Sequence, residues 1–113
     1  MTFDEIREIA LALPEMEEST SYCTPAFKVR KKLIVRLKED QETLVLKMDD
    51  ENQREFLLQS NPDTYFMTDH YVGYNYILVR MAKVNPEEIS DLIEQAWRIY
   101  APKRAIKTRT QNS

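Results

Sequence analysis

The sequence predicts a single α+β domain, with an antiparallel sheet of about five strands and N- and C-terminal helices packed on one of its faces. The expected element order is helix, three strands, helix, two strands, helix (α-β3-α-β2-α). Two observations carry this. Apolar residues recur at helical spacing near both ends of the chain and at alternate positions in the runs between them. The length, 113 residues, fits one domain. The domain is expected over residues 1–104, followed at 105–113 by a basic, mobile tail.

Residues 3–13 read as the first helix, because Phe3, Ile6, Ile9, Ala10 and Leu13 form one apolar stripe. Thr2 suits its N-cap, Glu5 completes a capping box, and Pro14 stops it. Residues 15–25 are polar and read as a loop. Three alternating runs follow. Phe27 and Val29 oppose Lys28 and Arg30; Leu33, Val35 and Leu37 oppose Ile34, Arg36 and Lys38; Leu44, Leu46 and Met48 oppose Thr43, Val45 and Lys47. Period-two alternation with one apolar face marks antiparallel strands covered on one side. Short connections at Lys31-Lys32 and Glu39–Gln41 make the runs a meander.

Residues 50–60 suit a short helix with Phe56 and Leu57 inward, ended by Asn61-Pro62-Asp63. Tyr65–Thr68 reads as a short fourth strand, and Tyr76–Ala82 as a fifth with Ile77, Val79 and Met81 inward. The last helix spans Pro86 to Tyr100. Asn85 is its expected cap, Glu88 its capping-box partner, and Ile89, Leu92, Ile93, Ala96, Trp97 and Tyr100 its buried stripe. With both terminal helices on the apolar face, the opposite face is left to Lys28, Arg30, Arg36, Lys38, Lys47 and Arg80.

Composition narrows the function classes. No apolar run approaches the ~20 residues that a membrane span needs, and the acidic start, Met1-Thr2-Phe3-Asp4-Glu5, does not read as a signal peptide. Cys23 is the one cysteine, so no intrachain disulfide is expected, and a reducing cytoplasm is the expected setting. Gly73 is the one glycine, which excludes Gly-rich phosphate loops. The net charge is −3, yet Lys28 to Lys38 contains six basic residues and no acid, and Lys103, Arg104, Lys107 and Arg109 form a second acid-free cluster.

Three stretches carry a family resemblance. They are Leu13-Pro14-Glu15 through Glu18-Ser19-Thr20-Ser21-Tyr22 to Thr24-Pro25-Ala26-Phe27-Lys28-Val29; His70-Tyr71-Val72-Gly73-Tyr74 leading into Ile77-Leu78-Val79-Arg80; and Ala96-Trp97 followed by Ala101-Pro102-Lys103-Arg104. In this order and spacing the chain resembles the MmcQ/YjbR family of small bacterial proteins over about residues 1–104. The resemblance implies a CyaY/frataxin-like fold and DNA binding of a double-wing kind. The chain departs from the family pattern at Cys23 and Lys31, where relatives often have Gly, and at Asn75, where Pro is frequent.

The favoured site is a basic sheet face that contacts DNA phosphates through Lys28, Arg30, Arg36, Lys38 and Arg80, with Tyr71 and Tyr74 stacking on bases. The plainer reading is a solvated face that keeps the open sheet soluble and guards its edges. An alternative is a small-molecule or protein-interaction module using a pocket beside the His70–Tyr76 loop, lined by Tyr22, His70 and Tyr74. The plainer reading of that loop is a turn at Gly73 with tyrosines covering a sheet edge. An enzyme ranks third. A Cys23–His70 pair lacks an oxyanion loop, Ser19 and Ser21 have no triad partners, and the acids around Asp4 and Glu8 suit an ordinary solvated helix face better than a weak iron site. No catalytic residue, metal site or cofactor is expected. The expected partner is DNA, with no membrane contact and with a monomer or weak homodimer as the assembly.

Overall fold

A computed structural model describes residues 1–21, 23–68 and 75–112. The elements are α1 (Phe3–Leu11), β1 (Met16–Ser21), β2 (Thr24–Val29), β3 (Lys32–Leu37), β4 (Thr43–Lys47), α2 (Glu51–Ser60), β5 (Tyr65–Phe66), β6 (Tyr76–Arg80), α3 (Pro86–Tyr100) and α4 (Lys103–Asn112). The sheet has six strands in the order β1-β2-β3-β4-β6-β5, with every pairing antiparallel. The chain is thus α+β as expected, with one more strand than the sequence reading gave.

Helix α1 starts where Thr2 and Glu5 form the reciprocal capping box. Helix α3 begins at Pro86 under an Asn85 cap, whose side chain accepts from the Glu87 and Glu88 amides. Glu88 does not complete a box there. Its carboxylate accepts the Tyr65 hydroxyl instead, tying α3 to β5. Burial, and then this bond, push the Tyr65 phenol above its ordinary value, so it stays protonated as the donor.

The register explains the core. Phe27, Val35, Leu46 and Ile77 lie abreast, and Leu37, Leu44, Val79 and Tyr65 form the next row. Both rows are buried with Ile6 and Ala10 of α1 and with Ile89, Leu92, Ile93, Ala96 and Trp97 of α3. The Phe3 and Phe27 rings stack at 5.7 Å, closing α1 onto this face. Both terminal helices therefore cover the same side of the sheet. Trp97 is fully buried, and its indole N–H donates to the Pro14 carbonyl at 2.9 Å.

Five expectations need correction. Residues 16–21 are a strand. Met-Glu-Glu-Ser-Thr-Ser shows no alternation because β1 is a sheet edge with four consecutive exposed residues, so it has no half-buried pattern to read. Ile34, expected outward, is fully buried in the core cluster. The pairing passes from Phe27–Val35 to Lys28–Leu33 and skips Ile34, and this bulge re-aims its side chain. Phe56, expected inward, is 67% exposed, since at ~100° per residue α2 buries Leu57 and turns its neighbour out. The stretch read as a tail is helix α4, with Ala105 in the core. Finally, the sheet face away from the helices is not a wet row of cations. Ala26, Val45 and Leu78 on it are at most 1% exposed, and Arg36 is 5% exposed.

Replacing Trp97 with Ala is expected to lower stability by about 3–5 kcal/mol, the range for a fully buried large aromatic. Trp97→Phe, which keeps most of the ring area but leaves the Pro14 carbonyl without its donor, should fall between that variant and the parent in urea unfolding monitored by circular dichroism.

Candidate nucleic-acid interface

The five cations expected to share one face meet different fates. Arg36 is buried and committed. Its Nη1 donates to Thr24 Oγ1 at 3.2 Å and to the Leu37 carbonyl at 3.3 Å, and it lies 3.5 Å from Glu39. The Thr24 hydroxyl passes this on to the Ser21 carbonyl at 2.7 Å. A buried guanidinium held this way fixes the sheet and is not presented to a phosphate. Arg80 is exposed, but its guanidinium lies 4.0 Å from the Phe66 ring centroid and donates to the Asp63 carbonyl at 3.2 Å. Lys38 stands at that same end, where its amide donates to the Thr43 carbonyl and Thr43 pairs with Arg80. Glu39, Asp40 and Glu42 crowd this end, so its charge is mixed. Burial opposes ionisation of Asp40, yet hydrogen bonds from the Glu42 amide and from the Thr43 hydroxyl and amide hold its carboxyl below the ordinary value.

Arg30 lies at the other end, and Lys28 stands close to it in β2 with its side chain reaching back to Thr20. β3 places Lys32 about 17 Å from Leu37 at ~3.4 Å per residue. Val29 pairs with Lys32, leaving Arg30 and Lys31 as a two-residue turn. Their φ values are 52° and 66°. This is the sign pattern of a type I′ hairpin, which right-twisted strands favour and which Gly or Asn usually fills. The turn stays tight although Lys31 stands where relatives often have Gly; both side chains are exposed, as is Lys32. Lys28 is half-buried, with its Nζ on the Thr20 carbonyl at 3.2 Å.

The basic C-terminal cluster comes to the same end. Met16 pairs with Val29, so Glu15 stands one residue beyond the last β1–β2 pair, next to the hairpin turn. Arg104 donates to Glu15 Oε1 at 3.0 Å. Helix α4 is anchored further along by Arg109, which donates through Nε and Nη2 to Glu94 Oε1 at 3.2 and 3.1 Å. Lys103, Arg104 and Lys107 remain exposed. The two cation runs, some seventy residues apart in sequence, thus flank one corner of the molecule. Glu15 and Glu17 are the carboxylates that accompany them on β1 and its approach.

The other expected site residues, Tyr22, His70, Tyr71 and Tyr74, lie outside the described residues. Among the described residues no group of three or more His, Cys, Asp or Glu is placed to hold a metal, and no helix is long and apolar enough to cross a membrane. Sequence reading missed Lys31, Lys32, Lys103, Arg104 and Lys107 as members of one surface. Their clustering in the chain was visible; their meeting depends on α4, for which Ala105 and Ile106 between cations were the available signal.

The YjbR family model matches residues 11–99. The chain belongs to the YjbR family. It is 28% identical to the uncharacterized proteins Mb2600 of Mycobacterium bovis and Rv2570 of Mycobacterium tuberculosis, over 99% of this chain and 98% of each relative. Its fold is shared with Deinococcus radiodurans protein DR2400, whose crystal structure is described by the family-model domain DUF419; the TM-score is 0.75 at 23% identity, covering 90% of this chain and 80% of that one. The segments that build the corner of this YjbR protein straddle the matched region: the hairpin lies inside it, and α4 lies just beyond it.

The Glu94 contact gives a pH dependence. Partial burial works against ionisation of Glu94, but hydrogen bonds and charge from Arg98 and Arg109 outweigh it and hold the carboxyl below its ordinary value of 4.5. A lowered folded value means that the unfolded chain binds more protons in the window between the two values. The contribution of Glu94 is therefore complete above about pH 4.5 and is lost as pH falls through the lower folded value. Thermal melts from neutral to acid pH should show a smaller acid loss in Glu94→Gln than in the parent.

Proposed function

We propose that this YjbR protein binds nucleic acid, and DNA in particular, through the phosphate backbone, using the corner formed by the β2–β3 hairpin and α4. The observation that carries the reading is the convergence of Arg30, Lys31 and Lys32 with Lys103, Arg104 and Lys107 at one end of the sheet. Neutralising several phosphates releases counterions, which gives affinity without base recognition. The hairpin and α4 present cations on two elements, and phosphate contacts of this kind orient a protein on a duplex without reading its sequence. The interface differs from the sheet face that the sequence suggested, since Arg36 is buried and Arg80 is held by Phe66 and the Asp63 carbonyl, whereas Arg104, paired with Glu15, keeps its side chain 78% exposed. The overall acidity, with a pI near 5.2, sets the expected strength: binding is weak, nonspecific and strongly salt-dependent. The helices packed on one sheet face also support the CyaY/frataxin-like reading of the fold, and the free, exposed Cys23 is in keeping with a cytoplasmic setting.

Titration with random-sequence duplex DNA at low and moderate salt tests this. Affinity should fall steeply with salt, and each cation removed from the corner should make the logarithmic slope shallower by about 0.9. Failure to bind at low salt would overturn the proposal.

Lys31→Gly separates binding from folding. A non-glycine residue at positive φ costs about 1–2 kcal/mol, so relieving it should raise stability by up to about 1 kcal/mol once the added freedom of the unfolded chain is set against it. The same substitution removes a phosphate contact. The expected outcome is a higher urea midpoint together with weaker DNA binding; unchanged binding would show that the turn is not part of the interface.

A further inference from the structure

A cavity of about 290 Å³ lies between the end of β4, the start of α2 and the C-terminal half of α3. Leu92, Ala96 and Ile99 give it an apolar wall, while Lys47, Asp49 and Asp50 bring both signs of charge to it; Arg98 also lines it, but its guanidinium is paired with Glu94 at 3.1 Å. The chemistry of these groups is specific. The Lys47 ammonium lies 5.1 Å from the Tyr76 ring centroid and 5.8 Å from that of Tyr100. Two aromatic faces steady it by cation–π attraction, and among the described residues it forms no ion pair with a carboxylate. Asp50 caps α2 through one oxygen only: Oδ1 accepts from the Asn52 and Gln53 amides at 2.8 and 3.3 Å, which leaves Oδ2 with no hydrogen bond among the described residues. Asp49 is exposed and has no ion pair among the described residues. Across the opening, Gln53 Nε2 donates to Gln95 Oε1 at 2.8 Å and joins α2 to α3.

We propose that this cavity is a binding site for a small zwitterion, an α-amino acid with an apolar side chain. The ligand carboxylate pairs with Lys47, its ammonium with Asp49 and the open oxygen of Asp50, and its side chain rests on Leu92, Ala96 and Ile99. A simple anion would use Lys47 but would face two carboxylates; a simple cation would meet the reverse. Only a ligand with both charges close together and an apolar body satisfies all three parts of the site. At about 290 Å³ the cavity is in the size range of a small amino acid.

Isothermal calorimetry on the full chain with leucine, isoleucine and phenylalanine tests this, alongside 4-methylpentanoate, which lacks the ammonium, and isopentylamine, which lacks the carboxylate. At least one amino acid should bind, and each deleted charge should weaken binding by about tenfold or more. Lys47→Met and Asp49→Asn should each produce a similar loss; Asp49 is exposed, so its variant keeps the fold even if Lys47→Met does not. No heat with any amino acid at millimolar concentration would overturn the proposal, as would equal binding of 4-methylpentanoate or undiminished binding by folded Asp49→Asn. These measurements use no DNA, so their outcome is separate from that of the nucleic-acid reading.

Discussion

The buried indole of Trp97 fixes the cationic end of this molecule. Its ring is fully enclosed, so its N–H must find an acceptor inside the protein, and it finds the Pro14 carbonyl. That bond pins the corner between α1 and β1 to the last turns of α3. Glu15, at φ 62°, turns the chain into β1 there and receives Arg104. Because α4 follows α3 after only Ala101 and Pro102, holding the end of α3 also holds the start of α4. The β1–β2 register then sets the hairpin beside it. One satisfied donor in the core thus decides which surface cations become neighbours.

Local environment, not residue type, divides the arginines and lysines into roles. Arg36 sits where the pattern of alternation says a solvent-facing cation should be, yet it is desolvated and held by a threonine, a carbonyl and a carboxylate. Arg109 clamps α4 to Glu94, and Arg7 spans Asp4 and Glu18 to tie α1 to β1. The cations of the hairpin turn have no such duty. A net charge of −3 is compatible with a cationic corner because most of the acids lie elsewhere, along α1, in the β3–β4 turn and at the starts of α2 and α3, with Glu15 and Glu17 the ones beside it. For a polyanion the field at that corner matters more than the total.

Much of the fold was legible in the sequence. The capping box at Thr2–Glu5, the Asn85-Pro86 start and the stripe from Ile89 to Tyr100 each follow local rules that the tertiary structure does not override. The strands with one apolar face were legible for the same reason. What escaped reading depended on partners distant in the chain. β1 is a strand only because β2 offers it an edge; Ile34 turns inward only because the pairing skips it; α4 forms against a core that the sequence of the tail does not display. The family resemblance was legible from motifs; the burial of Arg36 on the face that alternation left to cations was not. Alternation cannot tell a wet sheet face from a covered one, so Arg36 was grouped with cations at the opposite end of its own strand.

Positive φ alone does not mark the hairpin as functional. Glu15, Cys23 and Gln41 share that conformation with Arg30 and Lys31, in a chain with one glycine. Among the described residues, left-handed positions are therefore filled by residues with a Cβ, and strain at any one of them is ordinary for this molecule. Glu15 and Gln41 have local roles. Glu15 bonds Arg104, and the Gln41 amide closes a turn on the Lys38 carbonyl. Among the described residues Arg30 and Lys31 show no intramolecular use of their charged heads, and the turn would form more readily with Asn-Gly. Two adjacent cations at a position that favours neither, exposed and at the same end of the sheet as a second basic element, are what the proposed polyanion reading accounts for. The strain supplies the question, and the convergence with α4 supplies the reason to answer it with a polyanion.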